Sequence, residues 1–168
     1  IMLDLAIVIV NYRSWPKLEG CLSSLDHQKE KAQKVIVVDN RSDDGVLDSF
    51  MEKFPWVEWI KNHTNAGFAA ACNLGAQNIS NRWLLFLNPD TRLPKDCLQT
   101  LIPYCDQHPD FHLITIKQLS ESGKNTHPYG IFPNIWNSAG LLRSMERLIL
   151  HPDQTKKAMA KNPIAFPQ

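Results

Sequence analysis

Three clusters of polar side chains each follow an apolar run. Asn11-Tyr12 follows "LAIVIV", "DNRSDDG" (39–45) follows "VIVV", and "NPDT" (88–91) follows "WLLFL". A carboxylate at the mouth of a buried run is costly unless donors or a cation meet it. Asp39 and Asp90 stand directly behind such runs, and this position marks them as functional residues. Groups of this kind hold polar ligands by hydrogen bonds and, with a hard divalent cation, hold anionic oxygens. Ser42, Asp43, Asp44 and Gly45 have the residue types of turns and helix caps, and for them that duty is the favoured reading. His108 and His112 are four apart with Pro109 between them, and they read as surface or core histidines. Cys21, Cys72, Cys97 and Cys105 lack paired metal-ligand spacing. Each falls on an apolar helical stripe, as buried free thiols in a reducing cytosol would.

The elements that must position these clusters alternate in type. Leu5–Val10 reads as a fully buried strand, followed by a helix with Leu18, Cys21, Leu22 and Leu25 on one face. Val35–Val38 is a second strand, with Leu47, Phe50, Met51 and Phe54 as the next helical stripe. Trp56–Ile60 is a weaker third strand. Phe68, Cys72, Ala76 and Ile79 mark a third helix, and Trp83–Leu87 a fourth strand, buried by its composition. Leu98, Leu101, Ile102 and Cys105 mark a fourth helix that Pro103 should kink or shorten. Apolar strands separated by helices predict an α/β doubly wound domain, a mostly parallel sheet with helices on both faces. In such sheets ligands bind outside the carboxyl ends of the strands, where the polar clusters fall. After Pro109 the pattern weakens. Phe111–Ile116 is a candidate strand, 120–125 a turn, and the chain from Ile135 a helix followed by a Pro-containing tail. The expected division is 1–110 as a ligand-binding domain and 111–168 as a partial second segment.

The 168 residues allow one domain with a real core. A net charge of +1 gives no electrostatic footprint for nucleic acid. No apolar run approaches a membrane span, and no secretory signal precedes the first strand, so a cytoplasmic setting is expected. Several site types lack their motifs. "VNYRSWPK" has none of the glycines of a dinucleotide turn, and no phosphate-binding lysine loop occurs. An aspartyl phosphatase or a receiver domain needs an acidic pair after the first strand, where Asn11-Tyr12 stands. A sugar-nucleotide pyrophosphorylase needs a Gly-rich, Arg-bearing loop there.

"IVIVNYRSW", "VIVVDNRSDDG", "NHTNAGFAAACNLGA" and "LLFLNPDTRLP" occur in the order and spacing of family 2 glycosyltransferases, and the chain most resembles their rhamnosyltransferase-like branch. The resemblance covers residues 5–94. It implies a GT-A (Rossmann-like) fold, a nucleotide-diphosphosugar donor, UDP- or dTDP-linked, and Mn²⁺ or Mg²⁺. By that likeness Val10 and Tyr12 line the base pocket beside Asn11, with Tyr12 offering a stacking face. Asp39 accepts a hydrogen bond from the pyrimidine ring. "NPD" stands where many relatives have Asp-x-Asp, so Asp90 is the metal-facing carboxylate and Asn88 replaces the other. Asn65 and Gly67 open a small-residue stretch through Ala69, Ala70 and Ala71. That stretch suits close approach of a helix to a diphosphate and equally a tightly packed core helix.

The resemblance also implies a longer protein whose later portion supplies an acceptor wall and a base, in a Glu-Asp-type pair. Asp96, Asp106, Asp110, Glu121, Glu146 and Asp153 do not form such a pair, so no general base is identified in this chain. The expectation is the donor half of an inverting transferase in polysaccharide or cell-surface glycan synthesis, truncated or naturally short, with a glycan or lipid-linked acceptor. The competing reading is a non-catalytic donor-binding or assembly module. Arg143, Arg147, Lys156, Lys157 and Lys161 interleave with Leu141, Leu142, Met145, Leu148 and Ile149. Such a segment either packs on a further part of the protein, the favoured reading, or makes a peripheral contact with the inner face of the membrane.

Overall fold

The computed structural model describes residues 2–116, 118–120 and 122–123. The chain divides into two compact units, Ile1–Ile114 and Thr115–Gln168. The first runs β1 (Met2–Asn11), α1 (Trp15–Asp26), β2 (Lys31–Asp39), α2 (Leu47–Lys53), β3 (Glu58–Lys61), α3 (Phe68–Ala76), β4 (Trp83–Leu87) and α4 (Cys97–Gln107). The strands form one sheet in the order β3-β2-β1-β4, and every pairing is parallel. In the second unit Gly123 N–H closes a turn onto the Ser120 carbonyl at 2.8 Å, within the stretch expected to turn.

The order explains the placement of the helices. Parallel strands joined by right-handed crossovers place helices on one face while the order runs one way, and on the other when it reverses. The chain steps from β1 to β2 to β3, and α1 and α2 lie on one face with Leu18, Leu22, Phe50 and Phe54 over Ile7, Ile9 and Val37. It then returns past β1 to β4, and α3 covers the opposite face, with Ala71 and Cys72 against Val8, Val10, Ile36 and Val38. A Cβ on Gly75 would stand 2.6 Å from Val8 Cγ1 and 3.0 Å from Val38 Cγ2, so α3 sits as low on the sheet as a side-chain-free position permits. α4 adds Leu98 and Ile102 to the first face. Among the described residues no helix is long and apolar enough to cross a membrane.

Several expectations need correction. Among the described residues β4 is an edge strand and not buried on both faces: Leu84 is 39% and Phe86 48% exposed, on the α3 face of the sheet but beyond the part that α3 covers. Met51 and Phe68 point outward from their helices, and Cys97 is only partly buried. Residues 111–116 form no strand. Of the two effects expected of Pro103, a kink or a shortening, the shortening does not occur, for α4 continues to Gln107. Proline removes one N–H, and the acceptor it would have served belongs to Gln99, which is exposed and can turn to water. The helix expected from Ile135 and the basic segment lie outside the described residues.

Candidate functional site

The reversal of strand order puts β1 between two neighbours reached from opposite sides, and the crevice at the carboxyl end of such a strand is the site of choice in open α/β sheets. Register aligns Asn11 with Asp39, Asp39 with Lys61, and Ile9 with Leu87, so the three polar clusters emerge along one edge. Backbone bonds extend the ladder beyond the strands: Asn40 N–H donates to the Asn11 carbonyl at 2.8 Å and Asn62 N–H to the Asp39 carbonyl at 2.9 Å.

The first cluster is buried. Asn11 and Ser42 have no exposure and Asp39 has 2%. Asp39 Oδ1 accepts from Asn11 Nδ2 at 3.4 Å and from the Ser42 hydroxyl, and Oδ2 accepts from Ser42 N–H at 3.4 Å. Asn11 Oδ1 accepts from Ser14 N–H (3.3 Å) and Ser14 Oγ (3.0 Å). The Asn11 side chain is therefore wholly engaged with protein and orients Asp39 and the start of α1. Val10 likewise packs into the α3 core at 7% exposure. Tyr12, at 48% exposure, turns outward.

The second cluster is an asparagine chain that the sequence reading missed. Asn62 Nδ2 donates to Asn40 Oδ1 at 2.9 Å, and Asn40 Nδ2 donates to Asn65 Oδ1 at 2.9 Å. Asn65 Oδ1 also accepts from Gly67 N–H at 3.2 Å. Gly67 has φ +86°, a left-handed conformation that a side chain disfavours, and it caps α3. Asn40 thus ties the loop before α3 to the end of β2. The available signal was its position: a residue at a strand end that falls between an assigned aspartate and a turn.

The third cluster is open. Asn88 and Asp90 are exposed at the end of β4. The Asn88 carbonyl accepts from Thr91 N–H at 3.1 Å and from the buried Cys21 thiol at 3.8 Å. Burial, and then the charge of Asp90, push the Cys21 thiol up to about 12, so it remains a neutral donor. Asp90 has no ion-pair partner among the described residues. Asp96 pairs with Lys29 at 2.7 Å, and Asp106 with Arg82 at 3.3 Å and with Trp83 Nε1 at 2.9 Å, so both are occupied on the surface. Asp44 accepts from Val46 N–H and Trp15 Nε1, and Asp43 pairs with Arg41, the turn duty expected of them.

Whether these residues fit a divalent cation follows from the donor set. Among the described residues no three His, Cys, Asp or Glu side chains gather as a metal cage. One exposed carboxylate with an adjacent amide oxygen is the set that suits a cation completed by substrate phosphates and water. The residues fit a cation that arrives with an anionic ligand.

The sequence model named Glycosyl transferase family 2 matches residues 6–164. An uncharacterized glycosyltransferase of Haemophilus influenzae is 31% identical over 110 residues, covering 66% of this chain and 37% of that protein. An N-acetylglucosaminyl-diphospho-decaprenol L-rhamnosyltransferase of Mycobacterium tuberculosis is 25% identical over 116 residues, covering 62% and 38%. Among solved structures, S. aureus TarS aligns with a TM-score of 0.55 at 23% identity over 62% of this chain and 33% of its own. The mannosyltransferase PcManGT from Pyrobaculum calidifontis, in complex with GDP-Man and Mn²⁺, aligns with a TM-score of 0.55 at 20% identity over 62% and 33%. These structures show the GT-A fold. The chain spans somewhat more than a third of the length of the two curated relatives.

Proposed function

The chain belongs to glycosyl transferase family 2, and from that premise we propose that it binds a nucleotide-diphosphosugar, UDP- or dTDP-linked, together with Mn²⁺ or Mg²⁺ for transfer of the sugar to an acceptor hydroxyl. The observation that carries this reading is Asp90: an exposed carboxylate without an ion-pair partner among the described residues, beside the switch point of the sheet. A carboxylate there repels a diphosphate unless a cation joins them. When bound, the cation neutralises the charge that grows on the leaving diphosphate. The chain's own residues do the rest of the binding. Tyr12 supplies an exposed ring for the base, and Asp39 keeps unused lone pairs that can accept a ring N–H. The Asn40–Asn65 bond presents the Gly67 turn and the start of α3 to the sugar-phosphate side.

Support for the nucleotide sugar comes from TarS, solved with UDP and with UDP-GlcNAc, and from the GDP-Man complex of PcManGT. The preference for a pyrimidine rests on Asp39 alone. A lipid-linked acceptor draws on the name of the mycobacterial relative, and a glycan acceptor, a role in cell-surface glycan synthesis and a site at the cytoplasmic face of the membrane are proposed with it. Transfer with inversion requires a base to take the acceptor proton, and no described carboxylate is assigned that task.

Calorimetric titration of the chain with UDP and dTDP, in Mn²⁺ and in EDTA, tests the reading. Binding is expected only with the cation, and Asp90→Ala is expected to weaken it at least about tenfold, the loss of a charge-assisted ligand. Equal affinity in Mn²⁺ and EDTA would remove the metal from the site.

A further inference from the structure

We propose that Arg13 and Ser42 are positioning residues for nucleobase recognition: Ser42 holds Arg13 so that its guanidinium covers one face of the Tyr12 ring and leaves the other for the base. The proposal rests on the donor-binding reading above and adds a base-stacking device to it.

Arg13 has φ +51°, in the left-handed region that a residue with a Cβ avoids. Strain of this kind persists where surrounding contacts over-determine it. Here two bonds do so. Arg13 N–H donates to Ser42 Oγ at 3.0 Å, and Arg13 Nε–H donates to the Ser42 carbonyl at 3.0 Å. Ser42 is itself immovable. It has no exposure, and its hydroxyl donates to Asp39 Oδ1 while accepting from Arg13 N–H and, at 3.5 Å, from Asn11 Nδ2. One donor and two acceptors exhaust a serine hydroxyl.

The guanidinium carbon then lies 5.5 Å from the Tyr12 ring centroid, within the range of a cation–π contact. Tyr12 remains 48% exposed, so with the cation over part of its ring a planar ligand has room on the rest. No carboxylate draws Arg13 to this place. Among the described residues it has no ion pair, whereas Arg41 pairs with Asp43 and Arg82 with Asp106. Ser42 thereby joins the two groups assigned to the base, the Asp39 carboxylate and, through Arg13, the Tyr12 ring.

The alternative role for an unpaired arginine at this edge is direct contact with the diphosphate, and a ligand series separates the two. The full chain is titrated in Mn²⁺ with uridine, UMP and UDP, by calorimetry for tight ligands and by competition for weak ones. Arg13→Gly suits the backbone at φ +51° and so keeps the fold while removing the guanidinium. Ser42→Ala keeps the guanidinium and its bond to the carbonyl of residue 42 but removes the hydroxyl that anchors the Arg13 backbone N–H, and so loosens the seat of the side chain. Both variants are expected to lose about two- to fivefold in affinity, by the same factor for all three ligands, the size of an exposed cation–π contact. Binding of inorganic pyrophosphate with Mn²⁺ should not change. A loss that grows with each added phosphate, or no loss, overturns the proposal while leaving donor binding intact. Failure of the parent chain to bind any of the three overturns the donor-binding reading and this proposal with it.

Discussion

Asp39→Asn should destabilise the fold and weaken the donor by separable amounts. The carboxylate accepts three protein donors, Asn11 Nδ2, Ser42 N–H and the Ser42 hydroxyl, in a place only 2% exposed. Asparagine offers one oxygen in place of two. With that oxygen kept for Ser42 N–H, its amide faces the Asn11 amide, donor against donor. Asn11 cannot turn without giving up both bonds from Ser14. At least one bond to a charged acceptor is therefore lost, at about 1.5–3 kcal/mol. Removing a charge from a dry site returns part of this, so about 2 kcal/mol is the expected net cost. With a urea m-value of about 1–3 kcal/mol/M, the midpoint of unfolding should fall by roughly 1 M. Ser42→Ala removes one partner of the same carboxylate, the hydroxyl, and keeps the N–H, so the double variant should cost about 1–2 kcal/mol less than the sum of the singles. UDP affinity should also fall at least about tenfold, measured on protein shown to be folded at the assay temperature. A midpoint within roughly 0.2 M of the parent, or an additive cycle, would refute the network. Unchanged UDP binding would refute the base contact.

Gly75→Ala should lower the melting temperature, because its Cβ would enter the space of Val8 and Val38 at 2.6 and 3.0 Å. Overpacking costs about 1–3 kcal/mol and exceeds the gain in helix propensity of about 1 kcal/mol; melting at or above the parent would show that α3 can lift from the sheet. Burial raises the Cys72 thiol, so the folded chain keeps its proton above the pH at which the unfolded chain releases it. That contribution to stability is complete below the ordinary thiol pKa and declines as pH rises past it. Urea midpoints should accordingly fall more steeply between pH 8 and 10 in the parent than in Cys72→Ala, and equal slopes would contradict the assignment.

The strands and helices were legible because their apolar residues are set by burial against each other. Ile7, Ile9, Val37 and Leu22 owe their places to contacts made within the first hundred residues. β4 shows the limit. "WLLFL" has the composition of a two-sided strand, but coverage of Leu84 and Phe86 depends on what packs beside them, which no local pattern contains. Met51 and Phe68 fail for the same reason. Asp39 and Asp90 were singled out from their positions behind apolar runs, and they stand at the carboxyl edge of the sheet. Asn40, Asn62 and Arg13 were not, since asparagines and arginines in a turn have the composition of any turn; only the Asn40–Asn62–Asn65 bonds and the Arg13–Ser42 pair distinguish them. Ser42 was assigned to turn and cap duty; it does close a turn onto Asp39, and its hydroxyl also bridges two loops.

The parallel order β3-β2-β1-β4 also sets a timetable for synthesis. The central strand is made first: β1 is complete at Asn11, yet one of its two neighbours begins only at Trp83. At about 5–20 residues per second, several seconds pass on the ribosome before β1 can be closed on that side. Through that interval "LAIVIV" is a short segment of high β-propensity with no charge and no proline, the kind that pairs with strangers. Its earlier neighbour, β2, arrives with α1 already between them and can shield one edge and one face. The side of β1 that β4 will take thus stays exposed until β4 emerges, and the period of exposure is fixed by the topology and not by the stability of the finished fold.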